Sequence, residues 1–217
     1  PSLTNNPPSS PTNAVTLTFN SDSGPTGWTR VSSDEFTISA RNFETRYAGK
    51  VVRIKNNCND CKIKIIGSAS APTTITGTIV ILPMGISGGS TRTLDKLEIS
   101  GPGITMLPNN GLAILGGMGK TKLENGVNVG AAGAGALIYC VAPVGSSNES
   151  ELEVEEGATV YGSIVSGAQE TEFETGDSHG IAQNITVTYD HAFMSKLPHD
   201  WWDGGDLNVY KDNYEVN

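Results

Sequence analysis

The stretch KVVRIKNNCNDCKIKIIGSASAPTTITGTIVIL, residues 50–82, decides the reading of the fold. It holds three apolar runs, VVRI, KIKII and TITGTIVIL, with centres near Ile54, Ile65 and Ile79. All three are rich in Val, Ile and Thr, whose branched side chains suit a pleated strand. Asn, Asp, Gly, Ser and Pro separate them, and no amphipathic segment of helix length intervenes.

The same rhythm runs on to the end of the chain. Further centres fall near Leu97, Ile114, Val127, Ile138, Val154, Ile164, Phe173 and Val187. Upstream, AVTLTFN alternates Val15, Leu17 and Phe19 with Thr, and EFTISA and ETRYAGKVVRIK are also strand-like. The expected class is therefore all-β. Two features favour a solenoid over a β-sandwich, which is the alternative. The strands are very short, with two or three inward residues each. The turns GPG, PNNG, ENG, EEG and SGA supply Gly or Asn where stacked coils need left-handed corners. A sandwich more often shows two-residue hairpin signals between longer strands. No sequence repeat is evident, so the expectation is an irregular right-handed parallel β-helix of one domain.

Residues 1–14, rich in Pro, Ser and Asn, read as a flexible tail, residues 15–189 as the solenoid, and residues 190–217 as a C-terminal cap. The cap segment carries Trp201, Trp202, His191, His199 and several Asp, a mixture suited to covering an open end of the core. Trp201, Trp202 and Tyr210 are the candidate binding residues, because an exposed aromatic ring offers a stacking platform for a sugar or a partner.

The chain has 217 residues, 17% of them charged, and a formal net charge of −9. Acidity of this kind repels phosphate backbones and argues against nucleic-acid binding. The longest apolar run, around Ala136–Val144, is too short to cross a bilayer, so no membrane segment is expected. The chain starts at Pro1, and any leader or anchor is expected upstream of it.

Cys58 and Cys61 lie in NNCNDC. A local disulfide closing a turn is the favoured reading. A redox dithiol would need to open a helix in a βαβ context, and a zinc half-site would need a second ligand pair. A disulfide places the chain in an oxidising, extracellular setting. Cys140, within LIYCVAP, reads as a buried free thiol.

Motifs for chemistry are weak. LGGMGKT, residues 115–121, lacks the first Gly of a phosphate-binding loop and reads as a glycine-rich turn with an exposed Lys120. Arg53-Ile54-Lys55 and Ser178-His179-Gly180 resemble polygalacturonase motifs, but in reversed order and without an adjacent Asp pair. Arg53 and Lys55 read instead as outward residues alternating with Val52 and Ile54. A glycosidic cleft would have to draw on Glu172, Glu174, Asp177 and His179. Asp203-Gly-Gly-Asp206-Leu-Asn208 lacks the bidentate Glu of a calcium loop. No catalytic residue, metal site or cofactor is assigned, and a non-enzymatic role is favoured.

One resemblance stands beside this reading. Gly162-Ser163-Ile164-Val165, then Thr186-Val187-Thr188-Tyr189-Asp190, then Leu197-Pro198 and Trp201 resemble the C-terminal solenoid region of type IV pilus-associated, pilin-like surface proteins. ALIYCVAP, with Tyr139 and Pro143, is similar to an upstream strand of that group. The resemblance covers roughly residues 130–202. It implies a structural or adhesive protein of a cell-surface appendage, possible homo-oligomers, and partners that are other pilus or filament subunits or surface glycans.

Overall fold

The computed structural model describes residues 13–58, 61–81, 96–116, 119–141, 150–155, 157–167, 170–173 and 186–188. They form a parallel β-helix. The strands are β1 (Ala14–Phe19), β2 (Thr29–Arg30), β3 (Glu35–Ser39), β4 (Val51–Asn56), β5 (Lys62–Ile66), β6 (Thr73–Ile75), β7 (Thr78–Ile81), β8 (Lys96–Ser100) and β9 (Ile104–Met106). They continue with β10 (Leu112–Gly116), β11 (Gly119–Glu124), β12 (Asn128–Val129), β13 (Ala136–Val141), β14 (Ser150–Val154), β15 (Thr159–Gly167), β16 (Glu170–Phe173) and β17 (Thr186–Thr188). One helix, α1 (Ala40–Tyr47), joins them.

Each coil contributes one strand to each of three faces. Sheet A runs β1-β4-β7-β10-β13-β15, sheet B runs β2-β3-β5-β8-β11-β14-β16, and sheet C runs β6-β9-β12-β15-β17. Four coils are complete: β4-β5-β6, β7-β8-β9, β10-β11-β12 and β13-β14-β15. Strand β15 serves two coils. Its first half pairs with β12 in sheet C, and its second half pairs with β13 in sheet A. The corner between the halves is Gly162, at φ 136. A Cβ there would stand 2.0 Å from the carbonyl oxygen of Ala136, so only glycine lets the strand turn this close to its neighbour.

Every strand pairing between coils is parallel among the described residues; the antiparallel contacts there are β2–β3 and an isolated bridge between Ala131 and Ala134. That separates the helix from the sandwich alternative. The GPG, PNNG, ENG and EEG turns each place a glycine at positive φ, as expected. SGA does not, because Gly167 closes β15.

Stacking in register builds the core. In sheet A, Val15, Val52, Ile79, Ile114, Ile138 and Ile164 form one unbroken aliphatic column. In sheet B, Ile38, Ile65, Ile99, Leu123, Val154 and Phe173 are in register. In sheet C, the column is Ile75, Met106, Val129, Val160 and Val187. Most of these side chains are fully buried. Each aliphatic residue moved from water into such a column contributes about 1.5–3 kcal/mol.

One expectation needs correction. Residues 44–47 are helical rather than extended. Ser39 caps the helix, its Oγ accepting from the Asn42 N–H at 3.2 Å. Ala40, Phe43 and Tyr47 then fall on one buried face. Strand β4 begins only at Val51, after a turn at Gly49. Strand β1 begins at Ala14, the first residue of the expected AVTLTFN strand.

Helix α1 takes the place of a sheet C strand in the first coil and packs on β6. Beside it, aromatic rings close this end of the solenoid. Phe19 meets Trp28 and Phe36 at centroid distances of 5.0 and 5.3 Å, and Phe43 meets Tyr47 at 5.1 Å. Short β2 also covers the sheet B edge at β3. An aromatic cap is thus present at the N-terminal end. The expected C-terminal cap, residues 190–217, lies outside the described residues.

Candidate functional site: the charged face of sheet B

The outward side of sheet B follows directly from the alternation of its strands. In KIKII, KLEIS and KTKLE the charged residues fall at alternate positions, with Ile63, Ile65, Leu97, Ile99, Thr121 and Leu123 facing the core, and Glu153 lies between the buried Leu152 and Val154. Parallel register stacks these charges into columns. One column is Glu35, Lys62, Lys96, Lys120, Glu151 and Glu170. The next is Thr37, Lys64, Glu98, Lys122, Glu153 and Glu172. Five of the chain's nine lysines therefore lie on this one face.

The charges interlock across coils. Lys64 Nζ stands 3.5 Å from Glu35 and 3.4 Å from Glu98. Lys96 reaches Glu98 at 3.8 Å. Lys120 pairs with Glu153, while Lys122 pairs with Glu153 at 3.6 Å, Glu124 at 3.2 Å and also Glu155. Glu98 and Glu153 are 8% and 5% exposed, so the two carboxylates at the centre of the network are nearly covered by their partners.

Protonation follows from this crowding. Burial pushes the Glu98 carboxyl above its ordinary range, and the neighbouring Glu124 adds to the push, while Lys64 opposes it. Burial also works against ionisation of Glu124, yet hydrogen bonds from Ser100 and Lys122 hold its pKa below the ordinary value. Burial lowers the Lys122 ammonium, but Glu155 and Glu124 outweigh it and raise it overall. Glu98 and Glu124 are thus adjacent carboxyl groups driven in opposite directions.

The residues singled out from sequence are distributed as follows. Cys58 and Cys61 form the disulfide, with Cα atoms 5.7 Å apart and both residues buried. Cys140 is a buried free thiol, raised by burial to about 12. Val52 and Ile54 face the core, and Arg53 and Lys55 alternate with them as expected. Arg53 is half-buried, and its Nε and Nη2 have no hydrogen-bond partner among the described residues. Lys120 is not a turn residue. It belongs to β11 and is ion-paired, because that strand already begins at Gly119 and Lys120 enters its alternating pattern. Glu172 is in β16 and in register with Glu153. Trp201, Trp202, Tyr210, Glu174, Asp177, His179 and the Asp203–Asn208 run lie outside the described residues.

No grouping of three or more His, Cys, Asp or Glu suited to a metal ion occurs among the described residues, and no described helix is long and apolar enough to cross a membrane. The charge columns themselves were missed by sequence reading. Their signal was the K-x-K-x and E-x-E alternation on successive strands, which becomes a surface only once the register aligns it. No protein-family model, curated protein or solved structure matches this chain.

Proposed function

We propose that the chain is an extracellular structural or adhesive module of a cell-surface appendage, associated with a pilus or a similar filament, that contacts its partners through flat sheet faces. The observation that carries this reading is the outward face of sheet B, a continuous plane of ordered charge laid over a rigid core. Such a plane suits contact with another extended surface, since electrostatic patterning sets partner choice and register more than raw affinity. The Cys58–Cys61 disulfide supports an oxidising compartment. The segments that resemble pilin-like proteins, around Gly162–Val165 and Thr186–Thr188, are strands of the last coil.

The test is binding of the purified chain to surface glycans and to isolated surface filaments, read with and without charge reversal at Lys64 and Lys122. Retention on filaments, lost on reversal, supports the reading. Retention unaffected by reversal would remove the sheet B face from it.

A further inference from the structure

Two Asn-Gly pairs occur in the chain, Asn110-Gly111 and Asn125-Gly126, and both lie at corners of the solenoid. Such a pair carries a latent reaction. The backbone nitrogen of the glycine can attack the side-chain amide carbon of the asparagine, and the glycine has no side chain to shield that nitrogen. The fold treats the two pairs differently. Asn110 is half-buried, and its Oδ1 accepts from the Thr78 hydroxyl at 2.9 Å and from the Leu112 N–H at 3.1 Å. The Gly111 N–H is engaged as well, donating to the Pro108 carbonyl at 2.9 Å. Asn125 is exposed, in the corner between β11 and β12. Its Nδ2 donates to the Ser100 hydroxyl at 3.1 Å, and the Gly126 N–H makes no backbone hydrogen bond among the described residues. A Cβ built on Gly126 would meet only the Cα of Pro102, at 3.8 Å, so the space over this backbone is open. The corner itself demands the pair: Asn125 and Gly126 have φ 56 and 83, a left-handed turn that Asn and Gly adopt at least cost.

We propose that Asn125 is a site of spontaneous covalent modification, losing its side-chain amide through a cyclic imide with Gly126, and that the fold protects Asn110 from the same reaction. The Gly126 nitrogen gives its proton to solvent and forms a bond to Cγ of Asn125. The Cγ–Nδ2 bond breaks and ammonia leaves. Water then opens the ring at either carbonyl, which yields aspartate or isoaspartate. One water is taken up and one ammonia released, with no oxidant, reductant or cofactor. The product is a new carboxylate beside Ser100, whose hydroxyl also bonds the Glu124 carboxylate. A group that donated to this hydroxyl becomes one that competes with Glu124 for its proton. The added negative charge falls at the margin of the sheet B face, next to the ion pairs of Lys122 with Glu124 and Glu155. The inference stands apart from any adhesive role, since it concerns only the chain's own chemistry.

The folded full chain, aged in mildly alkaline buffer below its melting temperature and mapped by peptide mass spectrometry, tests it. The peptide holding Asn125 should gain about one mass unit, with isoaspartate detected in it by an enzymatic assay. Asn110 should convert at least about tenfold more slowly, since its two hydrogen bonds must open first. The same chain unfolded in urea should convert at both sites at similar rates. Asn125→Gly removes the amide and keeps a residue that accepts the left-handed backbone, so its peptide should show no gain. Asn125→Asp marks where the product elutes on anion exchange, and circular dichroism confirms that both variants fold. An Asn125 amide that stays intact in the folded chain while the unfolded chain converts would overturn the proposal. So would an Asn110 that converts as fast as Asn125 in the folded chain.

Discussion

Glu44 on α1 holds Thr76 across 32 residues of sequence, accepting from its backbone N–H at 3.0 Å and from its hydroxyl at 2.6 Å. Thr76 in turn accepts from the Gly49 N–H at 2.9 Å. These contacts fasten the helix of the first coil to sheet C at the end of β6. Glu44→Ala would leave the Thr76 N–H and the helix anchor without their partner. A loss of about 1–3 kcal/mol is expected, read from the urea midpoint. An unchanged midpoint would mean that the aromatic cluster alone fixes α1.

Ile138 sits in the sheet A column between Ile114 and Ile164 and is fully buried. Ile138→Val removes one methyl group and should cost about 0.5–1.5 kcal/mol. Ile138→Asp puts an unpaired carboxylate in that column and should prevent folding. Thermal melts of the two variants check this, and an Ile138→Asp protein that melts like the parent would refute the column.

Much of this fold was legible because a strand's period and its turn residues are local properties. The centres at Ile54, Ile65, Ile79, Leu97, Ile114 and Ile138 all fall within strands. Helix α1 was not legible, since Glu44, Thr45 and Arg46 adjoin Tyr47 and a β-rich run, and only the Ser39 cap with Phe43 and Tyr47 three and seven residues after Ala40 marks it. The charged face was half legible. Alternation within KIKII or KLEIS shows which residues point outward, but whether Lys64 lies beside Lys96 or Glu98 depends on register between coils. Coil lengths vary, so that register was hidden: Ile79 pairs with Ile114, whereas Ile114 pairs with Ile138.

Glu98 tests how the network balances. Its pKa is raised by burial and then by Glu124, so the folded protein binds this proton more tightly than the unfolded chain does. The stability linked to it is fully present below the ordinary carboxyl pKa and is lost as pH rises through the raised value. Near neutrality the charged form gains from Lys64 and Lys96 but bears the cost of burial. Glu98→Gln should therefore change stability by no more than about 1 kcal/mol at neutral pH. As pH falls, the parent should gain on the variant. Urea titrations of both proteins across the acid range supply the comparison, and a gap that moves the other way would show that the lysines dominate.

The disulfide closes a very short loop, and both cysteines are buried. Loop-closure entropy for a ring this small is worth about 2 kcal/mol. Cys58→Ser/Cys61→Ser should lose about that much, and the parent should match the variant only after reduction under unfolding conditions. Melting temperatures with and without reductant distinguish the cases. Identical melting of the parent and the double variant without reductant would show that the bridge contributes nothing to the fold.

Cys140 meets the hydroxyl of Thr121, a polar residue buried between Leu97 and Leu152 in the sheet B register. Burial raises the thiol to about 12, against the pull of Thr121 and the Gly116 backbone. The folded state therefore favours the neutral thiol. Its contribution to stability is complete below the ordinary thiol pKa of about 8.5 and declines as pH rises toward about 12. Cys140→Ala leaves a small cavity and an unpartnered Thr121, so the parent should be the more stable protein at neutral pH. That advantage should shrink steadily above pH ~8.5. Other groups that titrate in alkali are common to both chains and cancel in the difference. A thiol reagent should label Cys140 only at the rate of unfolding. Rapid labelling of the native protein at neutral pH, or an advantage that stays flat into alkali, would contradict the buried neutral thiol.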